Sequence, residues 1–190
     1  MNLPCFKTAT VSTFVLGCIA GVLIALSAEQ FDHFTTTDQF CTSCHAMKAY
    51  IAESETYQTS SHRSHTSGVQ PGCADCHIPK GLVIATYTHI ADGLSDLWGQ
   101  FNYDYDDPAV WEEQRARLAH AVRDTMRAND SITCRNCHVE ILIKPQRKRG
   151  QKQHEMARKN GMTCIDCHFN LVHDEVEPRD SFLDSAGVSK

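Results

Sequence analysis

Cys73-Ala74-Asp75-Cys76-His77 reads Cys-x-x-Cys-His, and the same pattern recurs at Cys41–His45, Cys134–His138 and Cys164–His168 in this 190-residue chain. Cys-x-x-Cys-His is the attachment motif for c-type haem: two thiols add to the porphyrin vinyls and the adjacent histidine reaches the iron. Cys-x-x-Cys alone also serves zinc and redox sites, but those sites rarely carry the following histidine every time. Four covalently attached c-type haems are therefore expected. They are held by Cys41, Cys44, Cys73, Cys76, Cys134, Cys137, Cys164 and Cys167, with His45, His77, His138 and His168 as attachment-side ligands.

The motifs fall into two pairs, separated by 32 residues from Cys41 to Cys73 and by 30 from Cys134 to Cys164. His62 lies 17 residues after His45, and His154 lies 16 after His138; both second motifs read Cys-x-Asp-Cys-His. This is the trace of a duplicated dihaem unit. A low-spin electron-transfer haem takes a second axial ligand, which imidazole supplies without opening a substrate site. His62 and His154 rank first for that role because of the repeat, and His173, five residues after the last motif, ranks next. His65 is the alternative to His62; His89 and His120 are divided between ligation and a surface or propionate contact, and His33 is read as interfacial. Met47, two residues past His45, either competes for the same iron face or packs against the porphyrin.

Eight of the ten cysteines belong to the motifs, which leaves Cys5 and Cys18 in or near an apolar N-terminal stretch. Thr10 to Ala28 is a run of nineteen uncharged residues, long enough to cross a hydrocarbon core and longer than the apolar part of a cleaved signal peptide. Lys7 before it, and Glu29 and Asp32 after it, point the N-terminus inward and the haem domain outward. The net charge of −5 gives no support to nucleic-acid binding. The basic stretch from Lys144 to Lys159 is read as a solvated face, with headgroup contact or docking to an acidic partner as alternatives.

Strand patterns are scarce. Asp107–Asn129 reads as an amphipathic helix starting at Asp107-Pro108, and Leu82–Phe101 as a partly apolar helix near the membrane. The fold class is mostly α: a single N-terminal transmembrane helix plus a small multihaem cytochrome c domain built from two dihaem repeats. The divisions are an anchor over 1–30, a tetrahaem domain over 31–175 (halves 31–100 and 101–175), and an exposed tail over 176–190.

Several stretches carry a family resemblance: Phe40-Cys41-x-x-Cys44-His45-x-Met47, Ser60-x-His62, Cys73-x-Asp75-Cys76-His77-x-Pro79 and Asn129-Asp130-Ser131. Cys134-Arg135-Asn136-Cys137-His138, Met156 after His154, and Gly161-x-x-Cys164-Ile165-Asp166-Cys167-His168 complete the set. Over residues 10 to about 173 the chain resembles the NapC/NirT family of membrane-anchored multihaem quinol dehydrogenases, including NrfH-type subunits. The resemblance implies that Met47 ligates the first haem, that Asp92 (with Asp96 second) approaches its open face beside a quinol pocket, and that His62, His154 and His173 are distal ligands. Relatives carry histidine where this chain has Lys80, and a lysine within the stretch that here runs Leu82 to His89; Lys80 or His89 is left to stand in.

The same resemblance implies a membrane-anchored cytochrome that oxidises menaquinol or ubiquinol from the quinone pool. It would pass electrons to a periplasmic reductase of nitrate, nitrite or a similar compound, with Asp92 as general base. The location implied is the bacterial inner membrane, single-pass, with the haem domain in the periplasm and a homo- or hetero-oligomer left open. The rivals are the same scaffold run in reverse as a quinone reductase, a tethered shuttle without a quinol site, and a terminal reductase. No Cys-x-x-Cys-Lys variant supports the last of these.

Overall fold

The computed structural model describes residues 4–64 and 66–187, with side chains from Thr10 onward; His65 lies outside the described residues. Every regular element among them is helical. Helix α1 (Pro4–Thr35) contains one span, Thr10–Thr35, long and apolar enough to cross a membrane. None of its residues in the apolar window is buried by protein, so lipid is the medium that suits this surface. The helix runs past the expected end at residue 30. Thr35 and Thr36 close it by donating their hydroxyls to the carbonyls of Phe31 and Asp32, both at 2.8 Å.

Short helices carry the first two motifs: α2 (Asp38–Cys41), a π-helical turn (Met47–Ala52), α3 (Glu55–Thr59) and α4 (Cys73–His77). Two long helices follow, α5 (Leu82–Asn102) and α6 (Pro108–Ala128), close to the limits expected from apolar spacing. Asp107 caps α6 by accepting the Ala109 N–H at 2.8 Å, and Pro108 takes the first helical position, where a missing N–H costs nothing. The second pair of motifs lies on α7 (Ile132–Arg135) and on a 3-10 turn (Cys164–Asp166). Between them runs α8 (Lys148–Lys159), and α9 (Asp180–Ala186) ends the described chain.

The apolar core is small and split in two. Ala46, Tyr105 and Trp111 form one cluster beside the first motif, with Tyr50 stacked on Trp111 at 5.0 Å; Ile165, Phe182 and Leu183 form the other beside the fourth motif. Helix α6 reaches both, with Trp111 near its start and Met126 near its end. It is a strut about 32 Å long at 1.5 Å per residue.

The segment after 175 is not an exposed tail. Val176, Phe182, Leu183 and Ala186 are buried, because these apolar positions seat α9 on the fourth motif. Arg123 of α6 donates to Asn170 Oδ1 at 2.6 Å and to the Val176 carbonyl at 2.7 Å. Arg127 donates to Asp166 Oδ1 at 2.5 Å and to the Phe182 carbonyl at 2.8 Å, with its guanidinium 3.5 Å from the Phe182 ring centre.

Candidate functional site

The repeat is visible in hydrogen bonds as well as spacing. Asp75 Oδ2 accepts the N–H of Gly72 at 3.0 Å, and Asp166 Oδ2 accepts that of Thr163 at 2.7 Å. The aspartate shared by the two second motifs therefore caps the turn that opens its own motif. Cys41 and Cys73, and likewise Cys134 and Cys164, stand close enough to act on one another's thiols.

The histidines outside the motifs supply the decisive geometry. Ring centres are 6.1 Å apart for His77 and His173, 6.1 Å for His62 and His138, and 6.0 Å for His154 and His168. Two imidazoles on opposite faces of one metal stand about 6 Å apart, from metal–nitrogen bonds of about 2.0 Å and about 1.1 Å from nitrogen to ring centre. Three of the four motifs thus fit an iron held between two histidines. Burial, and secondly His77, push His173 down to about 4. His77 and His168 are also lowered, chiefly by desolvation from the protein packed around rings that keep an accessible edge. Each ring is thereby favoured in the neutral form that ligates a metal. His62 and His173 face motifs in the other half of the chain, so the two halves interlock.

The first motif differs. Among the described residues His45 faces no second imidazole; its Nδ1 lies 2.7 Å from Asp106 Oδ1. A carboxylate on one ring nitrogen is the usual support for a ligand that uses the other. Met47 begins the π-helical turn and packs against the Ala46, Tyr105 and Trp111 cluster. Both side chains approach from the same segment, and among the described residues no histidine faces them.

Helix α5 borders that site. A Cβ on Gly99 would meet the Tyr105 hydroxyl at 2.9 Å, so the glycine lets α5 approach the first-motif cluster. At 100° per residue, Ala85, His89, Asp92, Asp96 and Gly99 share one arc of about 80°. Desolvation, and secondly the charge of Asp92, push the Asp96 carboxyl above its ordinary range although it keeps contact with solvent. Asp92 also opposes the lowering of His77, so its charge reaches the second motif too. His89 Nε2 lies 3.5 Å from Asp32 Oδ1 at the outer end of α1, with Phe31 edge-on to its ring. Lys80 is exposed and 4.0 Å from Asp75, beside the second motif.

Residues 4–178 match the model of the NapC/NirT cytochrome c family, N-terminal region. The chain belongs to the NapC/NirT cytochrome c family. A probable tetraheme cytochrome c-type protein of Nitrosomonas europaea is 37% identical over 177 residues, 92% of this chain and 73% of the relative. The denitrification system component NirT of Stutzerimonas stutzeri is 34% identical, over 84% of this chain and 79% of its own. Cytochrome c-type protein NapC of Escherichia coli is 31% identical, over 90% and 88%. No solved structure matches the chain at a significant level. This NapC/NirT cytochrome is accordingly a membrane-anchored multihaem electron-transfer protein.

Sequence reading of this NapC/NirT cytochrome had no means of finding Asp106, Asp32, Arg123 or Arg127 as partners of the site, since each acts across the fold on a residue distant in sequence. His120 sits half-buried on α6 among Arg123, Asp124 and Arg179, and His33 is exposed on α1. The charges of α8 are solvated, with Lys159 paired to Glu155 at 2.7 Å, while His154 of the same helix is half-buried beside His168.

Proposed function

We propose that this cytochrome is a quinol dehydrogenase of the bacterial inner membrane that delivers electrons to a periplasmic reductase. The observation that carries this reading is the first motif. It is the one nearest the anchor, the one that no second histidine closes among the described residues, and the one bordered by the carboxylate arc of α5. Haem, when bound, supplies one-electron redox chemistry at each of the four motifs.

The chain's own residues divide the remaining work. The eight motif cysteines hold the porphyrins, and the pairs His77/His173, His138/His62 and His168/His154 hold three irons. His45 or Met47 takes the near face of the first iron. Oxidation of a quinol releases two electrons and two protons, and Asp92 and Asp96, on the α5 arc that ends at Gly99 against Tyr105, are the acceptors this reading assigns. Asp96, whose proton affinity is raised by desolvation and by the charge of Asp92, is suited to take a proton at its carboxylate oxygen. His89, held by Asp32, lies on the same arc and leads outward from it. Lys80, against Asp75, has less support as a quinol ligand.

A relative named for a denitrification system supports a reductase of an oxidised nitrogen compound as the electron acceptor, with nitrate and nitrite the first to try. Stopped-flow haem absorbance of the membrane-bound tetrahaem protein, mixed with menaquinol and then with ubiquinol, tests the reading. Fast reduction by one of them, lost on adding a quinol-site inhibitor, is the expected result. No reduction by either, in a sample shown to contain four haems, overturns it.

A further inference from the structure

Helix α5 has a second face that the haem chemistry does not use. Val83, Tyr87, Ile90, Leu94, Trp98 and Phe101 are 54–86% exposed, far above what a water-facing helix of a soluble domain would carry at six large positions. At 3.6 residues per turn they fall within an arc of about 80°, centred about 180° from the arc of Ala85, His89, Asp92, Asp96 and Gly99. The polar arc packs on protein at three points, where Ala85 is buried, His89 meets α1 and Gly99 meets Tyr105, while Asp92 and Asp96 stay exposed. The buried cluster beside the first motif, Ala46, Tyr105 and Trp111, includes none of the six apolar residues.

We propose that α5 is a lipid-embedded interfacial helix, its apolar arc sunk into the outer leaflet of the membrane that α1 crosses. Three observations select lipid over a protein partner. Continuity comes first: α5 packs on α1 at Phe31 and Asp32, in the last turn and a half of the membrane span, so the apolar arc starts where the bilayer surface must be. Composition comes second, because the arc joins aliphatic side chains to Tyr87 and Trp98, the ring types that favour the bilayer–water boundary. Charge comes third: Asp92, Asp96 and His89 of α5 all lie on the opposite arc, which spares the lipid face any desolvated charge.

The consequence deepens the proposed function without depending on its direction. One helix would separate lipid from the Asp92–Asp96 arc by its own width, so a quinone headgroup need only pass around that helix to reach the first motif. The lipid contact itself stands whether or not any quinol is oxidised.

The test uses the full-length tetrahaem protein in phosphatidylcholine–phosphatidylglycerol vesicles containing a lipid with a diazirine in its acyl chain. Photolysis followed by peptide mass spectrometry should place adducts on α1 and on the Val83–Phe101 apolar arc, and none on α8. Leu94→Asp with Phe101→Asp should keep the four-haem absorbance and lose the α5 adducts. Adducts confined to α1, with α5 peptides recovered unlabelled, would overturn the proposal. So would α5 adducts that persist undiminished in the Leu94→Asp, Phe101→Asp variant.

Discussion

Asp92 and Asp96 are separated by one helical turn, yet their surroundings give them different work. Asp96 is held above the ordinary carboxylate range by desolvation and by its neighbour, whereas Asp92 sends its charge toward His77. A carboxyl with a raised pKa accepts a proton only when ionised, so activity that needs it falls as pH drops through that raised value. The acid limb of quinol-driven haem reduction should therefore lie above the ordinary aspartate pKa of about 3.9, and Asp96→Asn should remove that limb. Asp92→Asn should slow quinol-driven reduction by about 10²–10⁴-fold, the usual worth of a general base, with dithionite reduction and the haem spectrum unchanged. Stopped-flow traces across pH check both. Neither role is visible in Ala91-Asp92-Gly93-Leu94-Ser95-Asp96 read as a string. The family resemblance named the pair, and the α5 face they share with Gly99 brings that helix to the first-motif cluster.

Among the elements, the turn that opens α4 shows how closely the motifs constrain one another. Asp38 at the start of α2 accepts the Cys73 N–H at 2.8 Å, joining the first motif's helix to the second motif. A Cβ on Gly72 would lie 2.6 Å from that same Asp38 oxygen. Gly72→Ala should break the bond and cost about 1.5–3 kcal/mol, the range for a hydrogen bond to a charged group. The expected readout is a lowered thermal midpoint of the holoprotein. At α6 the cap is local: Asp107→Ala should cost about 1 kcal/mol, checked in the same melt. The limits of α5 and α6 were legible because apolar spacing and an Asp-Pro start are local signals. The burial of α9 was not, because the acidic run before it hides an apolar face that shows only when Arg123 and Arg127 draw the segment onto the fourth motif.

For the whole molecule, the organising fact is that ligand pairs cross the repeat. His62 faces His138 and His173 faces His77, so each half of the chain completes a site begun by the other. With two small apolar clusters as its protein core, the domain relies on these crossings and on α6 for its rigidity. The pairing makes a specific prediction. His62→Ala and His138→Ala should perturb the same haem, and the double variant should do no more than either single one, as expected for residues acting as a unit. His173→Ala and His77→Ala should do the same to a different haem. Magnetic circular dichroism of the low-spin haem bands, with redox titration, resolves which haem changes. Distinct haems affected by the two members of a pair would refute the pairing.

Four Cys-x-x-Cys-His motifs, nineteen uncharged residues and an excess of helical spacing are local properties, and they were enough to determine the haem count, the anchor and the mostly α class. The repeat also marked His62 and His154, and the position just after the last motif added His173. Which histidine faces which motif was decided by tertiary structure, since a ligand pair is set by distance in space and the partners of two of the three lie 76 and 96 residues apart in the chain. The two faces of α5 were likewise undecided until α1 and Tyr105 covered one of them. A helix's apolar and acidic arcs acquire meaning only from what packs against each.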